Sequence, residues 1–161
     1  MKIVIDPFDP KSINEAIKTV KRYKKEFEAK EKEFVRRIAE LGVSVASTGF
    51  ATADYDGVND VQVTMTHSGD KAVITAFGEA VGFIEFGTGV RYPEWDASGM
   101  EYTPPKHGTY GQGRGKSPHG WFFKQGEALR HTYGNQPAEA MRTARDTMVE
   151  RVIQIAREVW K

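Results

Sequence analysis

The sequence predicts an α+β domain, with a long N-terminal helix and a C-terminal helix packed on one face of a mainly antiparallel sheet. Apolar residues recur at helical spacing from residue 13 to 41 and again from 138 to 159. Between these stripes, residues 61–77 alternate apolar and polar side chains on both sides of a turn. Two amphipathic helices flanking short strands are typical of an α+β layer.

A chain of 161 residues has the length of one domain, and we assign residues 1–161 to it. Its 23 basic and 22 acidic residues leave it near neutrality, which weakly disfavours a dedicated nucleic-acid binder. It has no cysteine, so disulfides and thiolate metal sites are excluded. The early charged residues indicate no signal peptide, and no window approaches the ~18 apolar residues of a membrane span.

The first helix is predicted to begin at Ser12, since Glu15 three residues later completes a capping box. Gly42 is predicted to end it as the residue after its last turn. We expect Phe34 and Ile38 to be buried against the sheet. Lys24 and Glu31 interrupt the stripe, whose apolar members are Ile13, Ile17, Val20, Phe27, Phe34, Ile38 and Leu41.

Strands are predicted next. Residues 43–46 alternate and predict a first strand, and residues 61–66 and 71–77 predict a hairpin around a Ser-Gly-Asp turn. A shorter hairpin is predicted at residues 121–124 and 128–130. Together these make a sheet of four or five strands.

The final helix is predicted to follow Asn135, with Pro137 in its first turn, where proline is tolerated. Its apolar stripe contains Ala138, Met141, Ala144, Met148, Val152, Ile155 and Val159.

A segment of 33 residues, 88–120, holds seven glycines and four prolines, and we call it the arm. It is far longer than the ~4–6 residues of an ordinary connection. We expect this arm to be mobile in the free monomer, to be cut first by proteases near residues 111–116, and to order on assembly. Its aromatic anchors are Tyr92, Trp95 and Tyr102.

Catalytic motifs are not supported. The run at residues 111–117 ends in Gly-Lys-Ser, but Tyr110 stands where a phosphate-binding loop needs its first glycine. The four histidines lack the spacing of a zinc motif, and no Gly-x-Ser-x-Gly is present. We therefore predict no catalytic residue, cofactor or metal, and we interpret Glu85 as an interface or capping acid.

Charge is distributed unevenly. Residues 11–42 hold ten basic and six acidic residues, whereas residues 43–87 hold Lys71 against six acids. Two interpretations stay open: two solvated faces, or complementary surfaces that meet between neighbouring copies.

Two blocks carry a family resemblance. Residues 80–89, Ala-Val-Gly-Phe-Ile-Glu-Phe-Gly-Thr-Gly, and residues 131–138, His-Thr-Tyr-Gly-Asn-Gln-Pro-Ala, precede a closing helix that contains Met141-Arg142-Thr143-Ala144. They resemble the tail-completion, or head–tail joining, proteins of long-tailed (siphovirus-type) phages, the gene-product-ten-like tail component family. The order of elements is similar over nearly the whole chain. One departure is Glu139-Ala140-Met141, where the family has Arg-Pro-Phe.

The resemblance implies a non-enzymatic, structural virion protein of a phage or prophage, made in the host bacterial cytoplasm. It would form a ring, commonly of six copies, at the virion neck. There it would join the tail terminator or tail tube to the head connector or head-completion protein, with DNA passing through the lumen without sequence reading. The residues we assign to the interface with copies or partners are Glu85, Phe86, Gly87, Thr88, Gly89, Tyr92, Trp95, Tyr102, Arg114 and Lys116.

Two alternatives come from other functional classes. A small metal-dependent hydrolase or nuclease would use Glu79, Glu85 and the arm histidines, and it would show metal binding and turnover. A single-stranded nucleic-acid module would use an aromatic and basic loop, with salt-dependent binding to oligonucleotides. The residues of that loop are Tyr102, Tyr110, Arg114 and Lys116.

Overall fold

The computed structural model describes residues 3–89 and 113–161 and has the predicted α+β architecture, with long N-terminal and C-terminal helices. Its elements, in chain order, are α1 (Pro10–Ala51), β1 (Gln62–Ser68), β2 (Lys71–Phe77), α2 (Val81–Phe86), a 3-10 turn (Gly113–Lys116), β3 (Trp121–Gln125), β4 (Ala128–Thr132) and α3 (Ala140–Val159). Most of the predicted arm, residues 90–112, lies outside the described residues, and with it the predictions made for that part.

Helix α1 is longer at both ends than its sequence pattern predicts. Its N-cap is Asp9 rather than Ser12, because the Asp9 carboxylate accepts hydrogen bonds from the backbone amides of Lys11 and Ser12. At the other end the helix continues through Gly42, so residues 43–46 are helical and the predicted first strand is wrong.

Packing explains why Gly42 does not end the helix. A Cβ placed on Gly42 would lie 2.5 Å from the Ile74 side chain and 2.6 Å from the Met148 sulfur. Ala46 and Phe50, one and two turns further on, are buried on the same face. The burial of this face therefore outweighs both the glycine signal and the β-branched residues that follow it.

Helix α3 runs antiparallel along the C-terminal half of α1. Gly49 approaches Ala140 at the start of α3, and Arg37 forms an ion pair of 2.6 Å with Glu158 near its end. The Phe34 ring packs edge-on against Trp160, with centroids 5.2 Å apart. Phe34, which we expected to be buried against the sheet, is half-buried and has its aromatic partner at the end of α3.

Both predicted hairpins are present, but the described strands form two separate two-stranded sheets rather than one sheet of four or five strands. In the first, Gln62 pairs with Phe77 and Ser68 with Lys71, and its inward face packs against α1. In the second, Trp121 pairs with Thr132. The core lies where α1, α2 and α3 meet, and its buried members are Phe50, Ala80, Ile84 and Ala140.

The N-terminal half of α1 extends past the end of α3. We call residues 10–29 the projecting half. Its apolar stripe continues the seam between α1 and α3. Ala16 is buried there at 7% exposure, but the larger side chains of the stripe are about half exposed: Ile13 38%, Ile17 45%, Val20 51% and Phe27 45%. Phe27 marks the boundary, because its ring lies 6.2 Å from that of Trp160.

Candidate functional site

The two blocks that carry the family resemblance contact each other. Residues 84–89, from α2 and the turn after it, lie against residues 134–142, which lead into α3; we call these two segments the clasp. Backbone hydrogen bonds join them: Ala138 N donates to Ile84 O (2.9 Å), Glu139 N to Glu85 O (3.2 Å) and Thr88 N to Asn135 O (3.0 Å). A stretch known from sequence only as a turn is thus a pairing site for a distant segment.

Thr88 and Asn135 form a buried pair of side chains at the centre of the clasp. The Thr88 hydroxyl donates to Asn135 Oδ1 at 2.6 Å and accepts from the backbone N–H of Asn135 at 3.1 Å. Asn135 Nδ2 donates to the carbonyls of Phe83 and Gln136. Because every bond in this network is made inside the chain, the network fixes one local geometry.

Glu85 caps a helix that is not its own. Its carboxylate accepts hydrogen bonds from Met141 N (3.0 and 3.2 Å) and Arg142 N (3.2 Å), two of the amides that the first turn of α3 leaves without an intrahelical partner. The N-cap residue, Glu139, is left-handed (φ 47°), and its side chain pairs with Arg142 rather than capping the helix. The interpretation of Glu85 as a capping acid is confirmed.

Burial governs the electrostatics of Glu85, which is only 5% exposed. Burial raises the pKa of Glu85 because it penalises the ionised form, and the neighbouring Glu139 charge acts in the same direction. The amides of Met141, Arg142 and Ala140 favour the carboxylate and oppose this rise. The Glu85 carboxylate is therefore bound by backbone amides of α3 and has little contact with solvent.

Glycines allow the two segments of the clasp to approach this closely. Gly87 has φ 69°, and a Cβ there would lie 2.8 Å from the Asn135 carbonyl oxygen. Gly134 has φ 91°, and a Cβ there would overlap the Thr88 carbonyl. Both positions need a left-handed backbone and the absence of a side chain.

The arm leaves the clasp and returns beside it. A Cβ built on Gly115 would lie 3.0 Å from the backbone nitrogen of Gly89. Gly89 and Gly115 are thus neighbours in space although 25 residues separate them in the numbering, and the described parts of the arm begin and end at one place on the molecule.

The predicted interface residues divide into three groups. Glu85, Gly87, Thr88 and Gly89 are buried inside the clasp, and Phe86 is half-buried there. Lys116, at the end of the 3-10 turn, is exposed. Tyr92, Trp95 and Tyr102 lie outside the described residues, as does the side chain of Arg114.

A second feature lies at the C-terminal end of α1, within the acidic stretch that the sequence showed at residues 43–87. Four exposed acids stand in or beside the connection from α1 to the first hairpin, namely Asp54, Asp56, Asp60 and Glu79, and we call this region the acidic end. Asp60 Oδ1 and Oδ2 accept from the amides of Ala80 and Glu79, and these bonds lower the pKa of Asp60. The acidic residues were visible in the sequence, but their grouping around a cavity depends on the fold.

The missed centre of the clasp is Asn135, which sequence reasoning placed only in front of a helix. The single available signal was its position in the second resemblance block, between Gly134 and Pro137. Pro137 also lies before α3 rather than in its first turn, because α3 begins at Ala140.

Within residues 3–89 and 113–161, no three His, Asp or Glu side chains are grouped so as to hold a metal ion. None of the helices in that part of the chain has the length and apolar character needed to cross a bilayer. Comparison of the chain with protein-family models, curated proteins and solved structures gives no match.

Proposed function

We propose that this chain is a structural virion protein of a phage or prophage. It forms a ring at the head-proximal end of the tail and joins the tail to the capsid connector. Copies of the chain are its first partners, and the connector or head-completion protein and the tail terminator or tube are the others.

The observation that carries the proposal is the contact between the two resemblance blocks. They are 47 residues apart at Thr88 and Asn135, yet these residues make three hydrogen bonds with each other. Residues chosen for a family likeness thus form one structural unit. This supports the resemblance as a likeness of fold, in which the two blocks bind each other to form the clasp.

The position of the clasp supports a joining function. It fixes the start of α3 through Glu85, and Gly89 and Gly115, in the two described parts of the arm, lie next to each other beside it. A buried polar network of this kind holds one local geometry. A protein that joins two preformed assemblies needs a rigid body of this kind.

The alternatives have less support. The carboxylate of Glu85 is buried on the amides of α3, which favours a structural role over general acid or base catalysis. For a single-stranded nucleic-acid module, Lys116 is the one candidate whose side chain lies in the described part of the chain, and it is exposed.

Deletion of the gene from its phage or prophage tests the proposal. Filled heads and complete tails should accumulate separately in electron micrographs, and addition of the purified protein should join them and restore infectious particles. Purified protein with Thr66→Ala, a change on the exposed face of the first hairpin, serves as a control and should join heads to tails as well as the wild type does.

Three results would refute this function. They are a block in DNA packaging, tails of altered length, and normal particles without the protein. Turnover of a nucleic-acid or ester substrate that is lost in Glu79→Ala would instead support the hydrolase alternative.

A further inference from the structure

We propose that the projecting half of α1 docks on the acidic end of another copy of this chain, so that copies associate head to tail. This inference rests on the proposed function, since it names the contact by which a neck ring would close. It commits to a second copy as the partner, and each of the two surfaces is defined by described residues.

The first surface combines apolar and basic side chains. Ile17 and Val20 are about half exposed, and α3 does not reach them. Lys24 stands in the same stripe, three to four residues from Val20 and Phe27, and Lys21 flanks it. The projecting half holds six basic residues and three acidic ones, and two of those acids, Glu26 and Glu28, are paired with Arg22 and Lys24.

The second surface is an open cavity whose lining is partly aromatic and partly charged. A cavity of about 300 Å³ opens at the acidic end, with Tyr55, Val58, Phe83 and Phe123 among its lining residues and Asp60 and Glu79 beside them. Lys124 is its basic member. Burial and the charges of Asp60 and Asp56 raise the pKa of Tyr55, as expected in a site of negative potential.

One residue that lines the cavity, Gln125, has an unpaired hydrogen-bond acceptor among the described residues. The side-chain oxygen of Gln125 is buried and has no hydrogen-bond partner within the described part of the chain. Buried acceptors are usually paired, so this oxygen marks the wall of the cavity as incompletely satisfied. An apolar side chain flanked by lysines matches the aromatic lining and the carboxylates of this cavity.

Charge decides between the possible arrangements of two copies. Pairing of one projecting half with another would bring two surfaces with a basic surplus together, which is unfavourable. Docking on the acidic end brings opposite charges together. The two surfaces lie toward opposite ends of a helix of 42 residues, about 40–50 Å apart along its axis. The contact is therefore between non-identical surfaces, and repeated head to tail it generates rings or filaments.

A charge-swap experiment tests the arrangement. The helix variant is Lys21→Glu with Lys24→Glu, and the end variant is Asp54→Lys with Glu79→Lys. Each should weaken self-association by about tenfold or more in sedimentation at low salt. An equal mixture of the two variants should associate again, because the acidic helix of one meets the basic end of the other.

The control places the same charge change on the opposite side of the helix. Lys18→Glu with Lys25→Glu alters net charge equally, but these positions face away from the stripe at helical spacing. This variant should associate much more strongly than the helix variant. Circular dichroism should show native helix content in all of them.

A photo-cross-linking residue in place of Ile17 identifies the contacted surface. In concentrated wild-type protein we expect cross-links to peptides that contain residues 54–60 or 79–83 of another copy. Cross-links between two projecting halves, self-association that survives in the end variant, or a protein that stays monomeric at every concentration would overturn the docking proposal. Head–tail joining by a protein that fails these tests would leave the proposed function intact.

Discussion

The clasp and the projecting half of α1 use burial in opposite ways. In the clasp, polar side chains are almost fully enclosed: Glu85 is 5% exposed and Asn135 6%. In the projecting half, large apolar side chains face solvent, and Val20 is 51% exposed. Folded chains ordinarily do the reverse, placing apolar groups inside and ionisable groups outside.

The difference indicates where each region finds its partners. Every polar group that we describe in the clasp is satisfied by the same chain, so the clasp is complete in the monomer. The stripe of the projecting half continues a seam that is covered elsewhere by α3, and its larger apolar side chains are half exposed and open to an outside partner. Substitutions should therefore affect monomer stability in the clasp and association in the projecting half.

The largest effect on stability is expected from Gly134→Ala. The new Cβ would overlap the Thr88 carbonyl, and φ 91° is strained for any residue with a side chain. We expect a loss of about 3–4 kcal/mol in the free energy of unfolding, measured by chemical denaturation. Gly69→Ala is the control, since its φ is also positive (63°) but no atom lies near. It should cost about 1 kcal/mol, and equal losses in both variants would mean that the clasp is not closely packed.

Removal of the cap on α3 should rank second. Glu85→Ala leaves the amides of Met141 and Arg142 buried without an acceptor, so we expect a loss of about 2 kcal/mol. Glu79→Ala removes an exposed carboxylate and should change stability by less than about 0.5 kcal/mol. Hydrogen exchange at the start of α3 should quicken only in the Glu85 variant. Unchanged exchange there would contradict the capping role.

The third prediction compares two positions of one apolar stripe. Ile38→Ser lies in the half covered by α3 and should cost about 1–2 kcal/mol, because Ile38 is only partly buried. Ile17→Ser lies in the projecting half, where the side chain is 45% exposed, and should leave the stability of the monomer nearly unchanged. Thermal unfolding of dilute protein measures both. Equal losses would mean that the projecting half is covered within the monomer.

Local patterns were sufficient to predict the two long helices and both hairpins, but not the short helix α2. The alternation in residues 61–77 and the Gln-Gly turn after residue 124 specify strands through the period and turn chemistry of nearby residues. The end of α1 could not be predicted this way. Gly42 and the β-branched residues after it favour a break, and the helix continues only because Ile74 and Met148 pack against it.

In the candidate sites, too, local patterns predict some features and distant contacts decide the others. Glu85 stands out in sequence as an acid in an apolar run beside a glycine turn, and that pattern led to its interpretation as an interface or capping acid. Its partners, the amides of Met141 and Arg142, are 56 and 57 residues away, and no local signal identifies them. The acidic end likewise depends on the position of Phe123 and Gln125 from the second hairpin.

The smallest expected effect is a pH dependence of the free energy of unfolding, rather than a fixed loss of stability. Burial raises the pKa of Glu85 in the folded chain above its ordinary value of 4.5, so the folded state binds this proton more tightly than the unfolded state. The contribution of Glu85 to stability is therefore greatest below pH 4.5 and declines as pH rises through the folded value.

Glu85→Gln cannot ionise, so the stability of wild type relative to this variant should fall with rising pH in denaturation curves. Glu79→Gln, at an exposed site, should show no such decline. A difference that grows with pH would mean that the α3 amides outweigh burial, and the clasp would then favour a charged rather than a neutral Glu85.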